Sequence, residues 1–136
     1  GVSMVADLLN TLEKDDRKAI LANIEERNSA LGSEIRKKMF SFGDLIRLEL
    51  PDLQRIMREV DSGDLTLALK LASETLRDFV MQAVSKRAAE TLLEELEMMG
   101  PVKLTIVEAA QERVIQVVRR LEEQEEISLD GGSQTV

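Results

Sequence analysis

Apolar residues recur along this chain at three- and four-residue intervals, and the pattern is interrupted often. Such spacing puts one apolar stripe on each of several short helices. Val5, Leu8, Leu9 and Leu12 mark a first amphipathic helix. Asp15-Asp16 opens a second, with Ile20, Leu21 and Ile24 as its apolar positions. Asn28 or Ser29 starts a third, in which Leu31 and Ile35 are expected to face inward. Lys37-Lys38 suit the negative end of that helix, and Met39-Phe40-Ser41-Phe42-Gly43 breaks the pattern, which predicts a first boundary.

Beyond that boundary a short helix over 44–48 leads to Leu50-Pro51-Asp52, where proline suits a first helical turn, and the next helix runs to about Val60. Ser62-Gly63-Asp64 reads as a turn. Helices over Asp64–Leu71 and Glu74–Val84 follow, the second capped by Ser73. Ser85 caps another helix, which Gly100-Pro101 ends. On it, Ala89, Leu92, Leu93, Leu96 and Met99 share one side, while Arg87, Glu90, Glu94 and Glu97 fall on the other. Thr105 and Glu108 have the spacing of a capping box and open a last helix reaching about Glu123. Its buried stripe is Val107, Ala110, Val114, Val117, Val118 and Leu121, with Arg119-Arg120 near the end that favours cations. Ile127-Ser128-Leu129 adds a turn of packing, and the tail over 130–136 is expected to be disordered. The fold class is all-α, with no strand of consequence. A faint repeat, Asp16-x-x-x-Ile20-Leu21 against Asp52-x-x-x-Ile56-Met57, agrees with stacked helix pairs of the armadillo-like kind and equally with chance.

Composition narrows the chemistry. With 136 residues and 43% apolar content there is room for one domain or two small subdomains. Three Phe are the whole aromatic complement, so the core is aliphatic. Absence of Cys and His removes disulfides, thiolate metal sites, the usual proton shuttle and the commonest transition-metal ligand. No catalytic residue, metal site or cofactor is assigned, and the chain reads as non-enzymatic. A net charge of −8 argues against general nucleic-acid binding. No apolar run approaches the ~20 residues that span a bilayer, and Gly1-Val2-Ser3 opens no signal peptide, so a soluble, cytoplasmic protein without direct membrane insertion is expected. Without an initiator Met the chain is expected to be a fragment whose N-terminal regions are missing.

Specific strings then carry a resemblance over most of the chain. They are Met39-Phe40-Ser41-Phe42, Arg58-Glu59-Val60-Asp61, Asp64-Leu65, Ala68-Leu69-Lys70, Ser85-Lys86-Arg87-Ala88-Ala89-Glu90, Gly100-Pro101-Val102, Val107-Glu108 with Ala110-Gln111, and Arg119-Arg120-Leu121-Glu122-Glu123. In this order the chain resembles the C-terminal region of the FliG family of flagellar motor switch proteins. The resemblance implies an armadillo-like helical subdomain over 1–38, a Met-Phe-x-Phe hinge over 39–43 (Met39, Phe40, Ser41, Phe42 and Gly43), and a six-helix charged subdomain over 44–129. It implies a rotor component whose charged face meets the stator through Lys70, Arg87, Glu94, Glu95 and Lys103, and whose hinge reorients that face when rotation reverses. The implied partners are the cytoplasmic loop of the stator protein MotA, the switch protein FliM and neighbouring copies in a ring, at the cytoplasmic face of the inner membrane in the flagellar basal body. Three positions depart from the family pattern. Leu71 stands where Gly is usual, which bears on the turn after Lys70; Lys103 replaces Arg, and Glu94-Glu95 replaces Asp, both with charge retained.

A physical mechanism fits the same residues. Arg87 and Glu94 lie seven positions apart, about two turns or ~10 Å along one face. A partner helix with the reverse charge order would pair with them, and like charges would penalise a wrong register. The plainer alternative is a solvated helix face. Met39 to Phe42 is open to a core reading as well as a hinge reading, and Val5, Leu8 and Leu9 to a partner patch for FliM or a neighbouring copy as well as to core packing. Two other functions are weighed: a divalent-cation sensor like the helical cytoplasmic domain of magnesium transporters, on the strength of Glu94 to Glu97 and Glu122 to Glu126, and a generic helical adaptor. Carboxylates spread round a helix make a poor cage for Mg²⁺, and a carboxylate-only hydrolase would need paired acids in an apolar pocket.

Overall fold

The computed structural model describes residues 1–129; the disorder expected over 130–136 lies outside the described residues. The chain is all-α, and among the described residues there is no strand. It divides into two compact units, Gly1–Ser41 and Phe42 onward.

The first unit is three helices, α1 (Val2–Asn10), α2 (Lys14–Arg27) and α3 (Ser29–Met39), with α3 packed on both of the others. Asn28 starts α3 as expected, its side chain accepting the Leu31 N–H at 3.1 Å. Asp15 and Asp16 lie in the first turn of α2, one residue inside its start at Lys14. The core is Ala6, Leu9, Leu21 and Ile35, with Val2, Ile24 and Met39 packed around it. Two expectations fail here. Leu31 is exposed, and the inward position is taken by Gly32. On α1 the buried residues are Ala6 and Leu9, while Val5 and Leu8 face solvent, as does Leu12 beyond the helix end. In both helices a small residue marks the contact side. The reason is close approach: a Cβ on Gly32 would collide with Glu25 Cγ and stand 3.0 Å from the Glu25 Cα. Glu25 is itself held by an ion pair with Arg36, so it has little freedom to retreat.

The second unit begins with a 3-10 helix (Phe42–Arg47), followed by α4 (Leu50–Met57), α5 (Ser62–Leu69), α6 (Glu74–Ala83), α7 (Lys86–Met98) and α8 (Leu104–Glu123). α5 lies at the centre against α8 and α7, α4 packs on α6 and α8, and the 3-10 helix packs on α6 and α8. Leu45, Leu53, Ile56, Leu69, Val80, Val114, Val118 and Leu121 are buried almost completely. The stripe expected on α8 is buried with one exchange: Ile115 goes inside, and Val117 is half-buried.

Two helix starts differ from expectation. Ser62-Gly63-Asp64 is the first turn of α5, because Asp61 caps it by accepting the Asp64 N–H at 3.1 Å. Thr105 and Glu108 form no capping box: the extended Lys103 becomes the N-cap without a side-chain bond, and Thr105 already lies within α8.

α8 closes with the Glu126 N–H donating to the Leu121 carbonyl at 2.9 Å and the Glu125 N–H to that of Glu122 at 3.0 Å, around a left-handed Glu125 (φ 60°). Glu126 then pairs with Arg55 at 2.9 Å, and Arg55 also holds Glu59 at 2.8 Å. The bond from Arg55 keeps the Glu59 carboxyl below its usual range. Ile127 is buried, as the sequence predicts for this turn. Burial raises the carboxyl of Asp52, partly offset by a bond from the Ser128 backbone.

The Gly32 contact gives a test of the first unit. Gly32→Ala is expected to lower stability even though Ala gains about 1 kcal/mol over Gly in an exposed helix interior. Gly32→Val is expected to cost about 2–3 kcal/mol, the usual scale of overpacking. Urea denaturation of the parent and both variants checks the order.

Candidate functional site

α5 is only eight residues long, and its last carbonyls have no partner within the helix. Side chains from two neighbours supply the donors. Arg77 on α6 donates Nε to the Leu69 carbonyl at 2.9 Å and Nη2 to that of Lys70 at 2.8 Å. Gln111 on α8 donates to the Ala68 carbonyl at 3.1 Å. Lys70, held in this way, extends Nζ to the carbonyls of Met99 and Gly100, 3.3 and 3.1 Å away, where α7 ends. A cation at a helix C-terminus is favoured by both hydrogen bonding and the macrodipole.

α7 starts at Ser85, whose hydroxyl accepts the Ala88 N–H at 3.1 Å. Only Leu92 is buried on it; Ala89, Leu96 and Met99 are half-buried, and Leu93, expected on the inner side, is exposed. α7 meets α5 and α6 along one line, too narrow to cover a full stripe. Arg87, Glu90, Glu94 and Glu97 are exposed on this helix. Glu95 is exposed overall, yet its Oε2 accepts the hydroxyl of Thr66 on α5 at 2.7 Å, and Thr66 is buried. Lys103 is exposed at the start of α8. The structure therefore brings Lys70 and Glu95 to the seam between α5 and α7 and leaves Arg87, Glu94 and Lys103 in solvent.

The other candidates fare differently. Phe40 and Phe42 are buried, Met39 is half-buried and Ser41 is exposed. The division into two units falls between Ser41 and Phe42. Gly43 sits inside the 3-10 helix, and a Cβ there would meet nothing within 4 Å, so this conformation makes no use of glycine's extra freedom. Of the proposed patch on α1, Leu9 belongs to the core and is withdrawn; Val5 and Leu8 are exposed beside Met4. Among the described residues no group of three or more Asp and Glu could hold a metal ion, and Glu126, in the acidic run weighed for a cation sensor, is paired to Arg55. No helix among the described residues is long and apolar enough to cross a membrane.

Residues 22–129 match the family model described as the FliG C-terminal domain. The chain belongs to that family. It is 43% identical over 132 residues to the flagellar motor switch protein FliG of Thermotoga maritima and 42% identical over 132 residues to that of Bacillus subtilis. Each alignment covers 97% of this chain and 39% of the relative, so the chain spans about two fifths of the length of these curated relatives. The solved full-length FliG of Aquifex aeolicus superposes with a TM-score of 0.86 at 38% identity, covering 91% of this chain and 39% of that one.

The FliG resemblance raised one local question, the turn after Lys70 with Leu71 in place of Gly. That turn closes without a left-handed residue: Lys70 itself is right-handed, and the Ala72 N–H reaches the Leu69 carbonyl at 3.1 Å. Arg77 and Gln111 do the capping that a glycine motif does elsewhere, and Leu71 is exposed. Three residues of this FliG-family site escape a reading of spacing alone, namely Thr66, Arg77 and Gln111. Thr66 leaves a trace, a polar residue within the apolar run Leu65 to Leu69. The other two act on carbonyls of another helix, which no spacing encodes.

Arg77→Met should take the side-chain donor from the Lys70 carbonyl and leave the Leu69 carbonyl with the Ala72 N–H alone, in a half-buried place, at a cost of about 1–3 kcal/mol. Arg113→Met, which breaks a half-exposed pair with Asp64 (2.9 Å), should cost under about 1 kcal/mol. Chemical denaturation of both variants compares them.

Proposed function

We propose that this chain is the part of a flagellar rotor that meets the stator and takes up torque through the charged outer face of α7. The proposal rests on FliG-family membership and on one structural observation: Arg87, Glu90, Glu94 and Glu97 stand exposed on a helix fixed at its start by Ser85 and at its end by Lys70. A stator segment with the opposite charge order, such as the cytoplasmic loop of MotA, would pair with this row. Each exposed pair is worth only about 0–1 kcal/mol, which suits a contact that forms and releases at every step of a turning rotor. Lys103, exposed at the start of α8, extends the charged surface. The site of action is the cytoplasmic face of the inner membrane at the flagellar basal body, with FliM and neighbouring copies as the other partners; the exposed Met4, Val5 and Leu8 on α1 are the side chains offered to one of them. Nothing in this role calls for catalysis.

The segment Met39 to Gly43 is read as the hinge that changes the orientation of the charged unit when rotation reverses. The division of the chain within this segment supports it.

Two measurements test these roles. Arg87→Glu and Glu94→Lys in the full-length protein are expected to stop rotation of tethered cells, and reciprocal charge reversal in the stator loop is expected to restore it; normal rotation in every single variant would return the row to a solvated face. Phe40→Ala is expected to bias rotational direction, read as the ratio of clockwise to counter-clockwise intervals, and unchanged switching together with an unchanged small-angle scattering profile would remove the hinge.

A further inference from the structure

On the role proposed above, a row of charges on α7 meets the stator. We infer, resting on that role, that the same row ends in an apolar seat: Met98, at a helix end that also exposes Leu71 and Leu104, receives an apolar side chain of the stator segment whose charges pair with Arg87 and Glu94.

Met98 is the last residue of α7 and is 86% exposed. At about 100° per residue it lies ~20° from the direction of Arg87 and ~40° from that of Glu94 around the helix. Residues 87, 94 and 98 therefore form one line, positive, negative and then apolar, with Met98 ~6 Å beyond Glu94 along the axis. Leu71 and Leu104, 59% and 58% exposed, belong to the same end of the helix. Leu71 follows Lys70, whose Nζ bonds the Met99 and Gly100 carbonyls, and Leu104 opens α8 four residues past Gly100. A single exposed Met is ordinary on a protein surface. Three large apolar side chains at one helix end, one of them in line with the charges, make a surface continuous with the proposed contact. The partner that fits carries an acid, a base and an apolar residue at the same intervals, opposite Arg87, Glu94 and Met98. Charges fix its register, because the wrong alignment sets like against like. Met98 adds attraction that has no sign, and its unbranched thioether adapts to a surface that moves past it. Water excluded there also strengthens the neighbouring pair at Glu94.

The test is made in the full-length protein. Met98→Gln keeps the length of the side chain and its helix propensity while replacing the thioether by an amide. It is expected to leave Tm unchanged and to lower the torque of tethered cells, whereas Met98→Leu keeps parental torque. Leu93→Gln, also exposed on α7 but ~140° round the helix from Met98, is expected to turn normally. Stator charge reversal should restore Arg87→Glu and Glu94→Lys but not Met98→Gln. Contact is read directly by crosslinking, for which this chain has no cysteine of its own. Met98→Cys, combined with cysteines placed one at a time along the cytoplasmic loop of MotA, is expected to form a disulfide on mild oxidation at a loop position whose native residue is apolar, and Leu93→Cys is not. Parental torque in Met98→Gln, with torque lost in Arg87→Glu and Glu94→Lys, overturns the apolar seat and leaves the charged row standing. Crosslinking of Met98→Cys only to FliM or to a second copy of this chain overturns the stator as its occupant. Normal rotation in Arg87→Glu and Glu94→Lys overturns the proposed function instead, and the crosslink then decides the seat: a disulfide to the stator loop supports it, and none overturns it.

Discussion

The second unit depends on a short helix being buried on nearly every side. α5 has Leu65, Thr66, Ala68 and Leu69 all inside, and an element so enclosed cannot leave its terminal carbonyls to water. Its neighbours must therefore bring donors. Arg77 and Gln111 do so from α6 and α8, and in doing so they fix where those helices lie along α5. Lys70 passes the arrangement on to α7. One requirement, that buried carbonyls be satisfied, thus orders three helices around α5 and gives the charged helix its place.

What the sequence made legible was the set of helices and which residues cap them when the cap is local. Asn28, Ser73 and Ser85 bond backbone amides three residues onward, within reach of any reading along the chain. Local chemistry also misled where two starts competed. Asp61 outbid the turn suggested by Ser62-Gly63-Asp64, and the extended Lys103 pre-empted Thr105. The side on which a helix packs was harder to read. In α1 and α3 the contact runs through Ala6 and Gly32, because a unit of three short helices gains more from close approach than from a wide stripe of Leu. Hydrophobic size signalled burial in α8, which has neighbours on a broad face, and failed in α7, which does not.

The candidate site shows the same division. Charge order along α7 is written in the sequence, and Arg87, Glu90, Glu94 and Glu97 are exposed as their spacing implies. The different situation of Glu95 depends on Thr66, twenty-nine residues away, and the anchoring of Lys70 on carbonyls twenty-nine and thirty residues away. Distances of that kind along the chain carry no periodic signal.

Leu92 is the one fully enclosed side chain on α7. A helix moored at so few points leaves most of its surface without duties toward the interior. Substitutions there can rewrite the pattern of signs, shift it along the axis or dilute it while the rest of the molecule stays as it is. On the function proposed above, the protein thereby separates the problem of folding from the problem of matching a partner, and a motor whose two faces must stay complementary could change them in step without rebuilding the body that carries one of them.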